Sequence, residues 1–260
     1  KGIAKAKSEI INEIQDGGTL IINRDDKFYN YLSNKAKKNK INIISFGKSK
    51  KSDVCLKRIN NDNKRKKIII SFEKKNLEIP FNDINVYNVL ASLAVIKALK
   101  LDVNKIISKF RNLTPSEGRG KFHKIRRYKK KFKLIDESYN ASPFSVKNAI
   151  LKLSKINSRN SKKYLFLGDM LELGKKSAVY HKQLSRLINS SDIDKVFVKG
   201  EKSLFTYKNL KENKRGNIFQ CDQDVDLILK NIIANNDYLM IKGSNATGLK
   251  NISNAMIKGF

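Results

Sequence analysis

Between residues 131 and 256 short apolar runs alternate with segments of helical period, and that alternation limits the fold more than any other feature of the chain. The runs 131–135, 164–167, 195–198, 217–220 and 238–241 read as strands. Residues 144–156, 176–188, a short stretch near Leu204, 225–233 and 249–256 read as the helices that follow them. In the first of these helices Val146, Ala149, Ile150 and Leu153 fall on one face. A strand that returns to its sheet through a helix runs parallel to its predecessor, and repeated units cover both sheet faces with helices. The expectation is an α/β domain with a doubly wound, mostly parallel sheet.

The first half is less regular. Ile3, Ala6, Ile10, Ile11 and Ile14 mark one helix face, closed by Asp16-Gly17-Gly18. A strand at 19–23, a turn at 23–26, a helix over 28–36 and a strand at 41–46 follow. Residues 53–59 and 66–72, extended by 77–80, suggest a more antiparallel, basic section. Residues 85–99 form a strongly apolar helix, and 103–110 a shorter one. The segment 112–120 is the richest loop and holds one of only three prolines, which places a domain boundary between 1–114 and 115–260. A chain of 260 residues can give both domains a core.

One connection stands out chemically: Asp136-Glu137-Ser138-Tyr139-Asn140-Ala141-Ser142-Pro143, between strand 131–135 and helix 144–156. Ser142 suits the N-cap, and Pro143 the first helical position, where no N–H is needed. In open α/β sheets ligands bind outside the C-terminal strand ends. The helix N-terminus adds free N–H groups and partial positive charge for an anion. Two other strand ends are polar in the same way, at Gly168-Asp169-Met170 and Lys242-Gly243-Ser244, and the three together suggest one crevice. The bland alternatives are an ordinary β–α loop at 136–142, a turn or N-cap at Asp169, and a surface lysine closing a strand at Lys242.

Composition narrows the partners. The formal net charge is +31, and no apolar run approaches the ~18 residues of a membrane span. Such charge points toward nucleic acid or an anionic membrane as partner. Yet lysines are spread along the chain among many Asn and Ile, and only 64–67 and 124–133 are dense. The second run alternates with Phe122, Ile125, Tyr128 and Phe132, as an exposed basic strand pair does. A solvated face is therefore read ahead of specific nucleic-acid binding. Cys55 and Cys221 have no CxxC partner, which fits two free thiols in a reducing, cytosolic compartment. His123 and His181 are the only histidines; no His/Cys metal cluster follows from them, and both read as surface or structural residues.

Several words of the sequence converge on one resemblance. Asp136-Glu137-Ser138-Tyr139-Asn140-Ala141-Ser142-Pro143 resembles the D-[DE]-S-Y-N-A-N-P box of the bacterial Mur ligases, in the branch that adds D-alanyl-D-alanine, with Ser142 in place of the second Asn. Gly118-Arg119-Gly120 is similar to the G-R-G that opens the family's C-terminal domain. Residues 168–174 resemble G-D-M-x-E-L-G, and 242–244 K-G-S. Ala4-Lys5-Ala6-Lys7-Ser8-Glu9-Ile10 looks like A-K-A-K-G-E-I, whose second lysine becomes carbamylated. Asn23-Arg24-Asp25-Asp26 resembles N-x-D-D, and Asn85-Val86-Tyr87-Asn88 the H-N-x-x-N before the family's apolar helix. There Asn82-Asp83-Ile84 replaces G-x-H, so no imidazole precedes Asn85.

The resemblance implies the later part of a central ATPase domain followed by a Rossmann-like C-terminal domain. The family's P-loop, G-x-x-G-K-[ST], and its metal-binding Glu and His are not among these residues. The chain is expected to be part of a longer protein and inactive alone. The implied reaction is ATP-dependent amide formation in peptidoglycan precursor synthesis, in the cytoplasm, by a monomer. It uses Mg²⁺ and joins D-alanyl-D-alanine to UDP-N-acetylmuramoyl-tripeptide through an acyl phosphate. By resemblance Lys7 holds Mg²⁺ as its carbamate; Asn23, Asp25, Asn85 and Asn88 serve the nucleotide. Arg119 meets phosphate charge as the C-terminal domain closes about a hinge at 112–120. Asp136, Tyr139 and Asn140 line nucleotide and dipeptide, and Ser142, Asp169, Lys242 and Ser244 the dipeptide pocket. Rival readings are a sister enzyme of the tripeptide synthetase or folylpolyglutamate synthase type, against which Tyr139-Asn140 argues, and a basic nucleic-acid-binding α/β protein. The last predicts a log–log salt slope of about −0.9 per phosphate neutralised.

Overall fold

The computed structural model describes residues 2–62, 65–80, 85–157 and 160–259; Lys64 and Asn82-Asp83-Ile84 lie outside them. The chain divides into two compact units, Lys1–Thr114 and Pro115–Phe260.

The first unit opens with α1 (Gly2–Lys7), which tightens into 3-10 turns over Ser8–Glu13 instead of continuing as one α-helix. The cause is local. The Ser8 hydroxyl donates to the carbonyl of Lys5 at 2.7 Å, and Lys35 Nζ occupies the Ser8 carbonyl at 2.9 Å, which an α-helical ladder would need. The sheet runs β1 (Thr19–Asn23), β2 (Asn42–Gly47), β3 (Val54–Asp62), β4 (Arg65–Phe72), β5 (Lys75–Pro80), in that spatial order. The first three strands are parallel and the last three form an antiparallel meander. Helix α2 (Tyr29–Lys38) carries the chain from β1 to β2. Helix α3 (Val86–Ala98), capped by the Asn85 side chain, buries Val89, Leu90, Leu93 and Ala94 in one core with Val54, Ile68, Ile70 and Ile79. The short α4 (Val103–Ile107), capped by Asp102, follows.

The second unit is a three-layer α/β/α sandwich. A hairpin of β6 (Lys121–Arg127) and β7 (Lys130–Glu137) leads into α5 (Pro143–Ser154), β8 (Lys163–Gly168), α6 (Ser177–Asn189), β9 (Lys195–Lys199), α7 (Ser203–Tyr207), β10 (Arg215–Ile218), α8 (Asp222–Asn231), β11 (Tyr238–Lys242) and α9 (Leu249–Lys258). The sheet order is β10-β9-β8-β11-β7-β6, all parallel except the β6–β7 pair. Successive strand residues go to opposite cores. Leu134, Phe166, Phe197 and Ile241 meet the residues of α8 and α9, while Ile135, Leu165, Val196 and Met240 meet those of α5 and α6. From β7 the chain passes through α5 to β8, two places away, and β11 fills the gap. The C-terminal ends of β7, β11 and β8 are therefore neighbours at the switch point, where an open sheet offers a crevice.

The basic run is only partly a solvated face. Lys124 and Arg126 are exposed, but Arg127 pairs with Asp226 at 2.8 Å and Lys133 donates to the Tyr238 hydroxyl at 2.7 Å. Lys130 Nζ sits on the carbonyls that end α8, those of Ile233 at 2.7 Å and Leu229 at 3.4 Å, where a cation complements the helix dipole. Both cysteines are free, and burial pushes the Cys55 thiol up. Among the described residues no helix is long and apolar enough to cross a membrane.

Phe166 is fully buried, with ring centroids 4.8 Å from Phe219 and 5.4 Å from Phe197. Phe166→Ala is expected to destabilise the second unit by about 3–5 kcal/mol, read as a lower urea midpoint at unchanged slope. A loss below about 1 kcal/mol would show that the three rings do not share one core.

Candidate functional site

The polar edge of the second unit is built around Asp136, the next-to-last residue of β7, 1% exposed. Its Oδ2 accepts the Gly118 N–H at 2.7 Å; its Oδ1 accepts the Ser138 hydroxyl at 2.6 Å and N–H at 3.2 Å. The carboxylate thus points into the protein. Asp136 holds the edge together, whereas the sequence placed it against a ligand. Two further bonds fasten the 118–120 turn: Gly120 N–H to Asp136 O at 2.7 Å and Tyr139 N–H to Gly118 O at 3.1 Å. Gly118 has φ +73°, and a Cβ there would lie 2.8 Å from the Cβ of Tyr139, so only glycine fits.

Above this frame stand the groups free to meet a ligand. Tyr139 is 43% exposed, and the exposed Arg119 lies with its guanidinium 4.3 Å from the ring centroid. Lys250, in the first turn of α9, approaches the same ring at 5.7 Å. Asn140 is exposed; its Oδ1 takes the Ala141 N–H at 2.7 Å, and its amide NH₂ has no hydrogen-bond partner among the described residues. Ser142 caps α5 with a reciprocal bond to Ser145, 3.2 Å from its Oγ, so its hydroxyl serves the helix.

The loops after β8 and β11 join this edge. Ser244 N–H donates to Asp169 O at 3.0 Å, and Ser244 Oγ accepts the Leu171 N–H at 3.0 Å and lies 3.5 Å from Ala141 O. The three strand ends thus meet, with side chains in other tasks than expected. Asp169 is 9% exposed and accepts the N–H groups of Ser203, at 2.7 Å, and Lys202, at 3.2 Å, anchoring the start of α7. Ser244 is 4% exposed. Lys242 is buried beside Glu137, and burial lowers its pKa while the Glu137 carboxylate opposes that shift.

In the first unit the residues after β1 form a second polar cluster. Asn23 Oδ1 accepts the Asp25 N–H at 2.9 Å. The Asp25 carboxylate accepts from Lys48 N–H at 2.6 Å, Ser49 N–H at 3.0 Å and the Tyr87 hydroxyl at 3.1 Å. Tyr87 lies in the first turn of α3, so Asn23, Asp25, Asn85 and Asn88 are gathered where β1, β2 and α3 meet. Asn85 spends its oxygen on the Tyr87 N–H, at 3.0 Å, whereas the exposed Asn88 side chain has no hydrogen-bond partner among the described residues. Lys7 ends α1, is exposed, and likewise makes no hydrogen bond or ion pair with a described residue.

Two features were not read from the sequence, the place of Lys250 and a group of carboxylates around His123; a structural role for His181 was, though not its partners. Lys250 had no partner until the fold set it beside Tyr139. His181 is fully buried and locks the Met170 loop: its Nε2 accepts the Met170 N–H at 2.9 Å while Nδ1–H donates to Ser177 O at 2.8 Å. No His/Cys metal cluster followed from the two histidines; the ligand atoms of Glu117, His123 and Asp136, one imidazole and two carboxylates, lie within 4.8 Å of one another. Glu117 in that group is paired with Lys121.

The chain matches the sequence patterns of the Mur ligase middle domain over residues 1–96 and of the Mur ligase, glutamate ligase domain over residues 120–245. It is 30% identical over 269 aligned residues to the UDP-N-acetylmuramoyl-tripeptide–D-alanyl-D-alanine ligase of Buchnera aphidicola subsp. Acyrthosiphon pisum (strain APS), covering 99% of this chain and 56% of that protein. Among solved structures it superposes on MurF from Acinetobacter baumannii with a TM-score of 0.78, at 24% identity, over 99% of this chain and 55% of that one. For MurF ligase from Thermotoga maritima in complex with ADP the TM-score is 0.76, at 22% identity, over 98% and 57%. These likenesses fix the fold, and the chain spans about half the length of the proteins it matches.

Asp136→Asn keeps the size of the side chain but replaces one acceptor oxygen by a donor facing the Gly118 or Ser138 N–H. It is expected to cost about 1–3 kcal/mol and to speed amide hydrogen exchange at Gly118, Gly120 and Tyr139. Unchanged protection at all three would remove Asp136 from the frame.

Proposed function

Because this chain belongs to the Mur ligase family, we propose that it is part of an ATP-dependent amide ligase that joins D-alanyl-D-alanine to UDP-N-acetylmuramoyl-tripeptide. The observation that carries the reading is the Tyr139-Asn140 turn at the switch point of the sheet, with Arg119 stacked on the tyrosine. The Buchnera relative is named for this reaction, and the Thermotoga structure holds ADP.

The reaction moves the terminal phosphoryl group of ATP to the acceptor carboxylate. The amine of D-alanyl-D-alanine adds to the activated carbonyl, and the tetrahedral intermediate collapses to amide and phosphate. Catalysis of this kind is mostly positioning and charge stabilisation. Arg119 brings a planar fork of N–H donors suited to phosphate oxygens. Stacking on Tyr139 holds that fork in place before a ligand arrives, so less side-chain freedom is lost on binding. The exposed Asn140 amide offers two donors for a carbonyl or carboxylate. Lys7 is suited to carbamylation, because its amine is exposed and free of described partners. Mg²⁺ binds one or two carboxylates together with substrate phosphates and retains water, so a single carbamate fits its ligand count. Bound there, the ion would neutralise phosphate charge.

In the full-length gene product, phosphate release with UDP-N-acetylmuramoyl-tripeptide is expected to require D-alanyl-D-alanine. Lys7→Ala and Arg119→Ala are each expected to lower kcat about 100-fold or more, as losing one positioned charge-stabilising group typically does. Release with a single amino acid in place of the dipeptide would move the protein to a sister ligase. The 260-residue chain by itself is expected not to turn over ATP, and turnover by it with both substrates would refute the assignment of its parts.

A further inference from the structure

Lys242 is 3% exposed and ends β11, in register with Glu137 of β7 on one side and Leu167 of β8 on the other. An ammonium group carries three N–H donors and no acceptor. Three acceptors surround its Nζ: Glu137 O at 3.2 Å, Asn140 O in a short hydrogen bond, and Glu137 Oε2 at 3.7 Å. Two backbone carbonyls accept hydrogen bonds and the Glu137 carboxylate pairs with the charge, so the ammonium is engaged within the protein. Removing a cation from water is costly unless it is paired, so this set of acceptors is what permits a lysine here.

The two carbonyls lie at the start and the end of one turn. Between them are Ser138 and Tyr139, and the second of them belongs to Asn140. Tyr139 is tied again through its N–H to Gly118 O at 3.1 Å, and its ring carries Arg119 at 4.3 Å. The geometry points to Lys242 as a positioning residue that clamps both ends of the 137–140 turn, fixes the Tyr139 ring, and through that ring aims the Arg119 guanidinium. What Arg119 meets rests on the proposed function; the clamp does not.

The sequence has no tryptophan, so Tyr139→Trp gives the 260-residue chain a single indole reporter. In that background Lys242→Met removes the donors and keeps most of the stem. The expected result is a red-shifted emission and lower anisotropy at position 139, well below the melting transition, as the ring leaves its fixed place. A lysine that merely supported the core would lower the melting temperature and leave both signals unchanged, and that result in a folded variant would overturn the assignment. Lys242→Leu, which also removes the donors, is read in the same way if the Met variant does not fold. Failure of both to fold would also overturn it, since the lysine would then be serving the core. In the full-length gene product Lys242→Met is expected to lower kcat about tenfold, and by less than about twofold where Tyr139 is already Ala, because two residues acting through one contact are not additive. Equal losses in the two backgrounds would separate Lys242 from Tyr139. Loss of the ligase reaction in the parent protein would count against the proposed function alone, and the indole signals would still decide the clamp.

Discussion

A carboxylate sealed inside a protein must find N–H or O–H donors, and the edge of the second unit takes its form from that requirement at Asp136. The donors come from two directions. Ser138, two residues on, turns the chain sharply after β7. Gly118, eighteen residues earlier, is drawn onto the strand end. Everything a ligand could touch there follows from these bonds. The tight turn projects Tyr139 outward, and the captured glycine leaves Arg119 lying over the tyrosine ring. The frame is internal, and the reactive surface is what it holds outward.

The same device appears three times. Asp25 follows β1 and receives backbone N–H groups from Lys48 and Ser49, just after β2. Asp169 follows β8 and receives those of Lys202 and Ser203, after β9. In each case a carboxylate at or just beyond a strand end accepts at least one backbone N–H that is distant in sequence. A charge-assisted bond to backbone N–H is stronger than a neutral one and carries no side-chain freedom on the donor side. The result is a set of stiff strand-end loops, the condition for holding catalytic groups in register.

Much of this architecture was legible. The central strands of the second unit, β8, β9 and β11, are buried on both faces, all six residues of β8 among them, so they read as plain apolar runs. Ser142-Pro143 announced the start of α5 through its cap chemistry. Other features were hidden for physical reasons. The turns at Glu73-Lys74 and Tyr128-Lys129 have positive φ at both central residues, between 48° and 63°, yet contain neither Asn nor Gly, so the usual hairpin signal is missing. The residue types of the candidate site were legible, but the directions of their side chains were not. Asp136, Asp169 and Lys242 are three of the polar residues expected beside a ligand, and these three turn inward, whereas Arg119, Tyr139 and Asn140 are exposed. Their partners lie as far as 105 residues away, a distance that spacing along the chain does not encode.

Lys130, seated on the last carbonyls of α8, has a consequence for how such a basic molecule responds to its surroundings. Its partners are peptide dipoles, which acid does not discharge as it discharges carboxylates. With only two histidines against a net charge of +31, the overall charge scarcely changes across the neutral range. Repulsion among the exposed lysines does change with dissolved ions, since it is screened beyond about 10 Å at 0.1 M salt. Charge repulsion within this chain is therefore set, across the neutral range, by ionic strength far more than by acidity.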